Sequence, residues 1–419
     1  MSTLLNVNNY HYRRGGADVM FLEHSSLFSR AGWDVVDFSM HHDQNTDSPW
    51  SDYFVDEIEL GGDYSLVDKV TRAGRVVWSR QARSRLGALL DRTQPDIAHL
   101  HNVYHHISPS ILSLLRTQQI PVVLTTHDLK IACPSYQMLT HDGICERCRG
   151  GRLHNVVRHR CVKDSRLLSG VIFVESTVHR MLRTYTRNVD RFVTPSRFYA
   201  AKFAEWGFDP TMFVHIPNYV HPADFRPEYR PGSAFVYFGR LAPEKGLSTL
   251  IRAAAAARVP LWVIGTGPEE AELRALAGGL SADVEFLGYL TGEPLHERVR
   301  AARVNVLPSE WYENGPVSVL EAYALGTPLV GARIGGIDEL VREGETGFGF
   351  TSGSVDELAE VLARVAQLPD NELEQLGRTA RRWVEDEFSD ERFVERTSAL
   401  YAELGVMPVG TSQNHEKGS

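Results

Sequence analysis

The chain has 419 residues, 43% hydrophobic and 23% charged, which is typical of a globular protein with two or three domains. No apolar run approaches the roughly 20 residues that a membrane span requires, and the net charge of −9 argues against a nucleic-acid-binding protein. Residues 1–231 carry 27 Lys+Arg and 24 Asp+Glu, whereas the rest carries 17 and 29. The basic first part favours an anionic acceptor or an anionic membrane surface. The N-terminus shows no signal-peptide pattern, so we expect a cytoplasmic protein.

The first elements follow the order strand, glycine loop, helix and strand. Leu4–Val7 is a short apolar run, Gly15 and Gly16 follow it, and an apolar helical pattern extends through Phe28 before a second strand begins at Val35. This order is typical of the start of a Rossmann-like parallel sheet. The glycine pair lacks the spacing of a dinucleotide-binding fingerprint, so it is weak evidence of a nucleotide by itself.

The segment Lys69–Arg92 has a basic helical pattern. Arginines alternate in it with apolar side chains that include Trp78 and Leu86. A surface helix that packs its apolar side on the sheet explains this pattern. Docking on a membrane surface is the alternative, and it would add peripheral contact with the inner face of the membrane.

Two predicted strands end at histidines. Asp96–Leu100 leads into His101, and Val122–Thr126 is followed directly by His127 and Asp128. Ligand sites in parallel α/β sheets lie at the carboxyl ends of the strands. His127 is therefore a candidate site residue, although a lone histidine is more often a packing residue.

All four cysteines fall in residues 133–161, as Cys133, Cys145, Cys148 and Cys161, with the spacing C-x11-C-x2-C-x12-C. Two disulfides would suit an oxidising compartment, but nothing in the sequence directs secretion. In a reducing cytosol, four thiols around a C-x2-C pair favour a tetrahedral structural zinc site. Four cysteine ligands would leave no open position for catalysis, so the zinc would hold an insertion in place. The arginines around these cysteines would suit an anionic acceptor.

The proline-rich stretch Pro222–Pro231 marks a linker between two domains. The strand Phe235–Phe238 follows it and leads into a loop with Gly239, Arg240 and Lys245. Two cations after a strand end are suited to holding a diphosphate, because arginine offers a fork of N–H groups and lysine a point charge.

A later stretch combines two carboxylates, Glu313 and Glu321, with a loop-to-helix junction between them. Pro316 stands where the first helical residue is expected, because its missing N–H would have no partner there. The helix N-terminus that follows at Val317 offers N–H groups and a positive dipole end to an anion. A ligand with phosphates in the middle and hydroxyls at both ends would match this layout, as a nucleotide sugar does.

Taken together, these motifs resemble those of the retaining glycosyltransferases of family 4, whose signature is E-x7-E in this setting. The resemblance covers roughly residues 1–405 and includes the pattern G-R-x4-K-G. Ile216–Asn218 is similar to the start of the family's I-P-N-G-V-D, although Tyr219 and His221 replace the usual Gly and Asp. The four-cysteine insertion is not universal in the family and resembles a branch associated with polysaccharide assembly.

The resemblance implies the GT-B fold, an α/β architecture of two facing Rossmann-like domains with parallel sheets. We expect an acceptor-side domain over residues 1–220 and a nucleotide-sugar domain over 221–385. A helix over 386–407 would cross back to the first domain, and 408–419 would form a disordered tail.

The resemblance also implies transfer of a hexosyl group, with retention, from a UDP or GDP sugar to a saccharide or lipid-linked saccharide. His127 and Glu313 would contact the donor sugar, Arg240 and Lys245 would hold the diphosphate, and Glu321 would bind the ribose. The other residues expected at the donor are Gly15, Gly16, Gly239, Asn314, Gly315, Pro316 and Val317. No cofactor is expected in catalysis, because the fixed cations would make a magnesium site unnecessary.

Three other interpretations stay open. A sugar-nucleotide 2-epimerase shares the architecture, but those enzymes lack this E-x7-E arrangement. A glycan phosphorylase would need a lysine-bound pyridoxal phosphate and a longer chain. A non-catalytic, zinc-stabilised binding protein would use the cysteine insertion as its binding module, and the complete set of cations and carboxylates argues against it.

Overall fold

The computed structural model describes residues 2–58 and 66–407, which contain two six-stranded parallel sheets and one short hairpin. The strands up to residue 215 are β1 (Thr3–Val7), β2 (Asp34–Phe38), β3 (Ile97–Leu100), β4 (Val122–Thr125), β5 (Leu139–Thr140), β6 (Gly143–Ile144), β7 (Arg191–Thr194) and β8 (Phe213–His215). The helices in this part are α1 (Gly16–Arg30), α2 (Leu66–Val77), α3 (Arg80–Thr93), α4 (Ile111–Thr117), α5 (Asn155–Arg158), α6 (Arg166–Met181), α7 (Thr184–Asn188) and α8 (Arg197–Glu205).

The first sheet has the strand order β2-β1-β3-β4-β7-β8, with every pair parallel. All residues of β3 and β4 are buried, as expected for central strands that helices cover on both faces. The antiparallel pair β5–β6 lies outside this sheet, within the cysteine-containing insertion.

The second sheet is built from β9 (Phe235–Phe238), β10 (Leu261–Ile264), β11 (Val284–Gly288), β12 (Asn305–Leu307), β13 (Leu329–Ala332) and β14 (Gly347–Phe350). Its helices are α9 (Leu247–Ala257), α10 (Glu270–Gly279), α11 (Glu293–Arg300), α12 (Val317–Ala324), α13 (Val355–Ala366), α14 (Asp370–Glu387) and α15 (Asp390–Glu403). The strand order is β11-β10-β9-β12-β13-β14, so the order reverses between β9 and β12. Ligands in such sheets bind outside the carboxyl ends of the strands at this switch point.

The last helix, α15, packs against residues of the first sheet. Phe393, Leu400 and Tyr401 share an apolar core with Leu4 and Val193, which lie on β1 and β7. Beyond this helix, the Ser2 hydroxyl donates a hydrogen bond to the carbonyl oxygen of Met407 at 2.7 Å. The chain therefore returns to its first strand after completing the second sheet.

The α/β architecture with two parallel sheets is confirmed. The segment 69–92 belongs to two helices, α2 and α3, instead of one. Its side chains Val76, Leu86 and Leu89 are fully buried, as expected for helices that pack an apolar side on the interior. The expected tail, 408–419, lies outside the described residues. None of the helices described is long and apolar enough to span a bilayer.

Candidate functional site

The loops after β12 and β4 meet across the cleft between the two sheets. The Asn314 side-chain amide donates to the carbonyl oxygen of Thr126 at 2.7 Å, and the Ser196 hydroxyl donates to the Asn314 side-chain oxygen at 3.0 Å. These contacts place the residue after Thr126, His127, beside the segment that carries Glu313. The structure thus brings together residues that are almost 190 positions apart in the sequence.

Glu313 forms a buried ion pair with Lys245. The Lys245 ammonium donates to Glu313 Oε1 at 2.6 Å, and the Ser309 hydroxyl donates to the same oxygen at 2.8 Å. Burial would raise the pKa of Glu313, but the charge of Lys245 and the hydrogen bonds from Lys245 and Ser309 lower it below the ordinary value. Glu313 is therefore ionised near neutral pH, with a cation already in contact.

Two glycines make this approach possible. Gly246 has a φ of +68°, and a Cβ there would lie 2.1 Å from the carbonyl oxygen of Pro308. A Cβ on Gly336 would lie 1.7 Å from the carbonyl oxygen of Asn314. Only glycine permits these close backbone approaches, which hold the Lys245 and Glu313 loops together.

Glu321 lies on α12, the helix that follows the loop with Glu313. Burial raises the pKa of its carboxyl to about 7. Among the described residues it has neither a hydrogen-bond partner nor an ion-pair partner. A half-buried carboxyl without a partner is unfavourable in the protein alone and is suited to accept hydroxyl groups of a ligand.

The helix α12 begins one residue later than predicted. Val317 is its first residue, and Pro316 precedes it with an extended ψ of 111°, so Pro316 is the N-cap instead of the first helical residue. In the described part of the chain no side chain caps this helix. The Asn218 side-chain amide donates a hydrogen bond to the carbonyl oxygen of Gly315 at 2.6 Å. The free N–H groups at this helix start remain available to an anion.

Arg240 follows Gly239 at the end of β9, and its side chain is exposed. In the part of the chain that the structure describes, its guanidinium forms no hydrogen bond or ion pair. Burial raises the pKa of Tyr136, and the charges of Asp128, Arg14 and Arg240 act on the same hydroxyl. Arg14 and Arg240, from the two halves of the chain, therefore both act on Tyr136. Sequence reasoning missed Arg14, although its place beside the glycine pair is a usable signal.

Gly15 and Gly16 form the start of α1. Gly15 is the N-cap, without a side chain that could cap the helix, and among the described residues no atom lies within 4 Å of a Cβ placed on Gly16. These residues therefore leave space beside Gly16. Such space is compatible with a bound phosphate or sugar.

His127 contacts a second histidine that sequence reasoning did not assign to the site. Its Nε2 lies 2.7 Å from Nδ1 of His101, and their rings are nearly parallel at 15°. Burial lowers the pKa of His127 to about 4 and lowers that of His101 as well, so both are neutral at pH 7. Because β3 and β4 are adjacent, the two residues that follow them meet at one edge of the sheet.

Asp128 is a further ionisable group beside His127. The Tyr104 hydroxyl donates to its carboxylate, and the backbone N–H of Lys130 donates to Oδ1 at 2.9 Å. Burial raises the pKa of Asp128 to about 7. The cleft thus holds two carboxyls, Asp128 and Glu321, that titrate near neutrality.

The four cysteines are free thiols close to one another. Burial raises the pKa of Cys148 to about 12 and that of Cys161 to about 11, and neighbouring thiols add to both shifts. The donor set suits zinc in its chemistry. Among the described residues, however, no three His, Cys, Asp or Glu side chains are arranged as a group that could hold a metal ion. The zinc site stays a prediction.

The cysteine insertion contacts the loop that carries Glu313. The Tyr312 hydroxyl donates to Glu146 Oε1 at 3.0 Å, and Lys202 donates to the same oxygen at 2.9 Å. Glu146 lies between Cys145 and Cys148. The insertion therefore touches the residue next to Glu313.

Comparison with known protein families accounts for most of the chain. Residues 14–224 match the family model for Glycosyltransferase Family 4, and residues 227–383 match that for Glycosyl transferases group 1. The boundary between the two matches falls in the proline-rich stretch Pro222–Pro231.

Individual relatives are distant. The chain is 24% identical to an N-acetyl-alpha-D-glucosaminyl L-malate synthase of Bacillus anthracis, over 77% of this chain and 78% of that protein. It is 29% identical to a GDP-mannose-dependent monoacylated alpha-(1-6)-phosphatidylinositol monomannoside mannosyltransferase of Corynebacterium glutamicum. That match covers 53% of this chain and 65% of the relative.

Solved structures share the fold over almost the whole chain. A sucrose-phosphate synthase of Thermosynechococcus elongatus superposes with a TM-score of 0.69 at 20% identity, covering 97% of this chain and 99% of its own. Anabaena HepE in complex with UDP-glucose superposes with a TM-score of 0.65 at 16% identity, covering 96% and 100%. The expected GT-B fold is confirmed.

Proposed function

Because the chain belongs to glycosyltransferase family 4, we propose that it transfers a hexosyl group from a nucleoside-diphosphate sugar to a saccharide or lipid-linked saccharide, with retention. The observation that carries this proposal is the grouping of Lys245, Glu313 and the partnerless Glu321 around the free start of α12. The cation and the helix start suit a diphosphate, and the two carboxyls suit a hydroxylated group at each end of it.

The diphosphate would lie between Arg240, Lys245 and the first N–H groups of α12. Cleavage of the bond between the sugar and the phosphate leaves negative charge on the departing phosphate. Cations and a helix start beside the departing phosphate stabilise that charge. We therefore propose that protein groups alone stabilise the leaving group.

The two ends of the donor would bind separate carboxylates. Glu321 would accept hydrogen bonds from the ribose hydroxyls, which supplies the partner that its buried carboxyl lacks. Glu313 and His127 would contact the hydroxyls of the transferred sugar. The departing phosphate would take the proton of the acceptor hydroxyl, and no side chain is assigned as a covalent nucleophile.

The printed names of the relatives indicate which donors to test first. One relative is described as GDP-mannose-dependent, and HepE is described in complex with UDP-glucose. We propose a UDP or GDP sugar as the donor. The four-cysteine insertion resembles a polysaccharide-assembly branch, so we propose cell-surface polysaccharide biosynthesis at the cytoplasmic side as the setting. The epimerase and binding-protein alternatives are not favoured, because both halves of the chain match transferase families.

Nucleotide binding and donor cleavage test this proposal in sequence. Thermal shift with UDP and GDP is expected to show stabilisation by one of them, and incubation of the matching sugar nucleotide with an acceptor extract is expected to release free nucleotide. Glu321→Gln should lower nucleotide affinity, whereas Glu360→Gln, an exposed control on α13, should not. A protein that neither nucleotide stabilises would contradict the proposal, and conversion of the donor without an acceptor would favour epimerisation.

A further inference from the structure

The helix α6 carries an exposed apolar ridge. Leu167, Val174 and Met181 are spaced seven residues apart, about two helical turns, so they point to the same side. Their side chains are 67%, 48% and 78% exposed, and Leu182, directly after the helix, is 51% exposed. A single exposed leucine is ordinary on a protein surface, but a row of about 21 Å of apolar side chains along one helix is not.

The opposite face of α6 fixes the orientation of this ridge. Ile172 is buried in a small apolar cluster, and the buried Glu175 accepts a hydrogen bond from Lys130 at 2.8 Å. The His179 ring bonds to the carbonyl oxygen of Val77 at 2.9 Å. Because these contacts hold one face of the helix against the interior, the ridge stays at the surface.

The segment that contains the ridge is basic. Residues 152–187 contain eight Lys+Arg and two Asp+Glu, a net charge of +6 in a chain whose net charge is −9. Of the two acidic residues, Glu175 is buried in its ion pair and only Asp164 is exposed. Arg180 and Arg183 stand at the end of the ridge with exposed side chains, and among the described residues they form no ion pair.

We propose that this face of α6 docks on an anionic lipid bilayer. An anionic polysaccharide would use the arginines but leave the apolar ridge in water. An uncharged protein partner would cover the ridge but leave the excess positive charge unused. The boundary between acyl chains and anionic headgroups accepts both groups at once. The proposal does not rest on the proposed function, although such docking would bring a lipid-linked acceptor to the enzyme.

Flotation of the full-length protein with lipid vesicles tests this docking. The protein should bind phosphatidylglycerol-containing vesicles at low salt and bind pure phosphatidylcholine vesicles much less. Each arginine near an anionic surface accounts for about a five-fold change in partitioning, so Arg180→Glu with Arg183→Glu should lower binding more than ten-fold. Leu167→Ser with Met181→Ser should remove the binding that persists at high salt, because that fraction depends on apolar insertion.

Two variants in the part of the chain that forms the second sheet serve as matched controls. Arg252→Glu reverses an exposed charge on α9, and Tyr289→Ser removes a side chain that is 72% exposed. Both should bind vesicles as the unchanged protein does. All substituted side chains are exposed, and circular dichroism checks that each variant is folded.

Three outcomes would overturn the proposal. The first is no binding of the unchanged protein to anionic vesicles at low salt. The second is equal binding by the ridge variant. The third is a dimer in light scattering that the ridge variant loses, which would make the ridge a contact between two copies. Donor cleavage assayed in solution without vesicles reports separately on the transferase function.

Discussion

The Lys245 ammonium lies 2.6 Å from Glu313 Oε1, across the loops that follow β9 and β12. In the proposed reaction the same lysine faces the departing phosphate and the same glutamate faces the sugar. The ion pair therefore holds both groups close to their working positions before the donor binds, and the lysine needs only to turn from the carboxylate toward the phosphate.

Lys245→Ala is expected to reduce donor cleavage more than 100-fold, in line with about 3 kcal/mol for the loss of a charge-stabilising donor. The variant also leaves the buried Glu313 carboxylate without its cation, so the pKa of Glu313 should rise. Initial rates with the matching sugar nucleotide measure the first effect. Arg252→Ala on α9 is the control, and a near-normal rate for Lys245→Ala would refute the phosphate role.

The sequence was sufficient to predict the parts of the fold that depend on local patterns. Apolar runs such as Val122–Thr125 predict buried parallel strands, and the glycines and prolines around them mark the turns. Position within the sheet also predicts that Lys245 and Glu313 lie at one edge, because both follow strands at a switch point. Their direct contact could not be predicted, since it depends on how closely Gly246 lets the backbone approach Pro308.

Contacts between distant segments account for most of what sequence reasoning missed. Asn314 reaches Thr126 and Tyr312 reaches Glu146 only because the two halves face each other. Residues 69–92 turn part of their apolar face inward, because Val76, Leu86 and Leu89 are buried. A helical pattern shows that one face is apolar but not whether that face turns inward or outward.

Donor affinity is expected to depend on pH through Glu321. Burial raises the pKa of this carboxyl to about 7, so it becomes ionised, and a better acceptor for ribose hydroxyls, as the pH rises through 7. Nucleotide affinity measured by calorimetry should therefore increase over this range, and the Glu321 contribution should vanish in Glu321→Gln. A pH dependence equal in both proteins would assign it to another group, such as Asp128.

The same pKa predicts an opposite trend in stability. The unfolded carboxyl has an ordinary pKa of about 4.3, so between that value and about 7 the folded state binds the proton more tightly. The contribution of Glu321 to the free energy of unfolding should fall by on the order of 3 kcal/mol as the pH rises through this window. Glu321→Gln should lessen the decline measured by urea unfolding by this amount, whereas Glu360→Gln should leave it unchanged. Asp128, whose pKa burial also raises to about 7, contributes a separate decline in all three proteins.

The zinc prediction is tested by metal content. Elemental analysis of protein purified without chelators should give about one zinc per chain if the four thiols bind a structural ion. Cys148→Ser should lower that content and the melting temperature, and treatment with a chelator should reproduce the change in melting temperature. Zinc well below one per chain would contradict the zinc site, in agreement with the lack of a metal-binding group among the described residues.

His101 is expected to set the proton position on His127. Among the described residues His101 Nε2 has no hydrogen-bond partner, and an unpaired buried acceptor is more common than an unpaired buried N–H. The proton of His101 should therefore lie on Nδ1 and be donated to His127 Nε2, which leaves the His127 proton on Nδ1. His101→Asn keeps a donor and should keep most activity, whereas His101→Leu should lower kcat more than ten-fold with little effect on KM.

Nitrogen NMR of the ¹⁵N-histidine-labelled protein distinguishes this positioning from a purely structural role. The His127 signals, assigned through His127→Asn, should show a single tautomer protonated at Nδ1 in the unchanged protein and in His101→Asn. In His101→Leu the two tautomers should mix, because neither ring nitrogen then has a fixed partner. His141→Asn, at a histidine whose side chain is 75% exposed, is the control. A His127 tautomer that His101→Leu does not alter would mean that the ring is oriented by its burial alone.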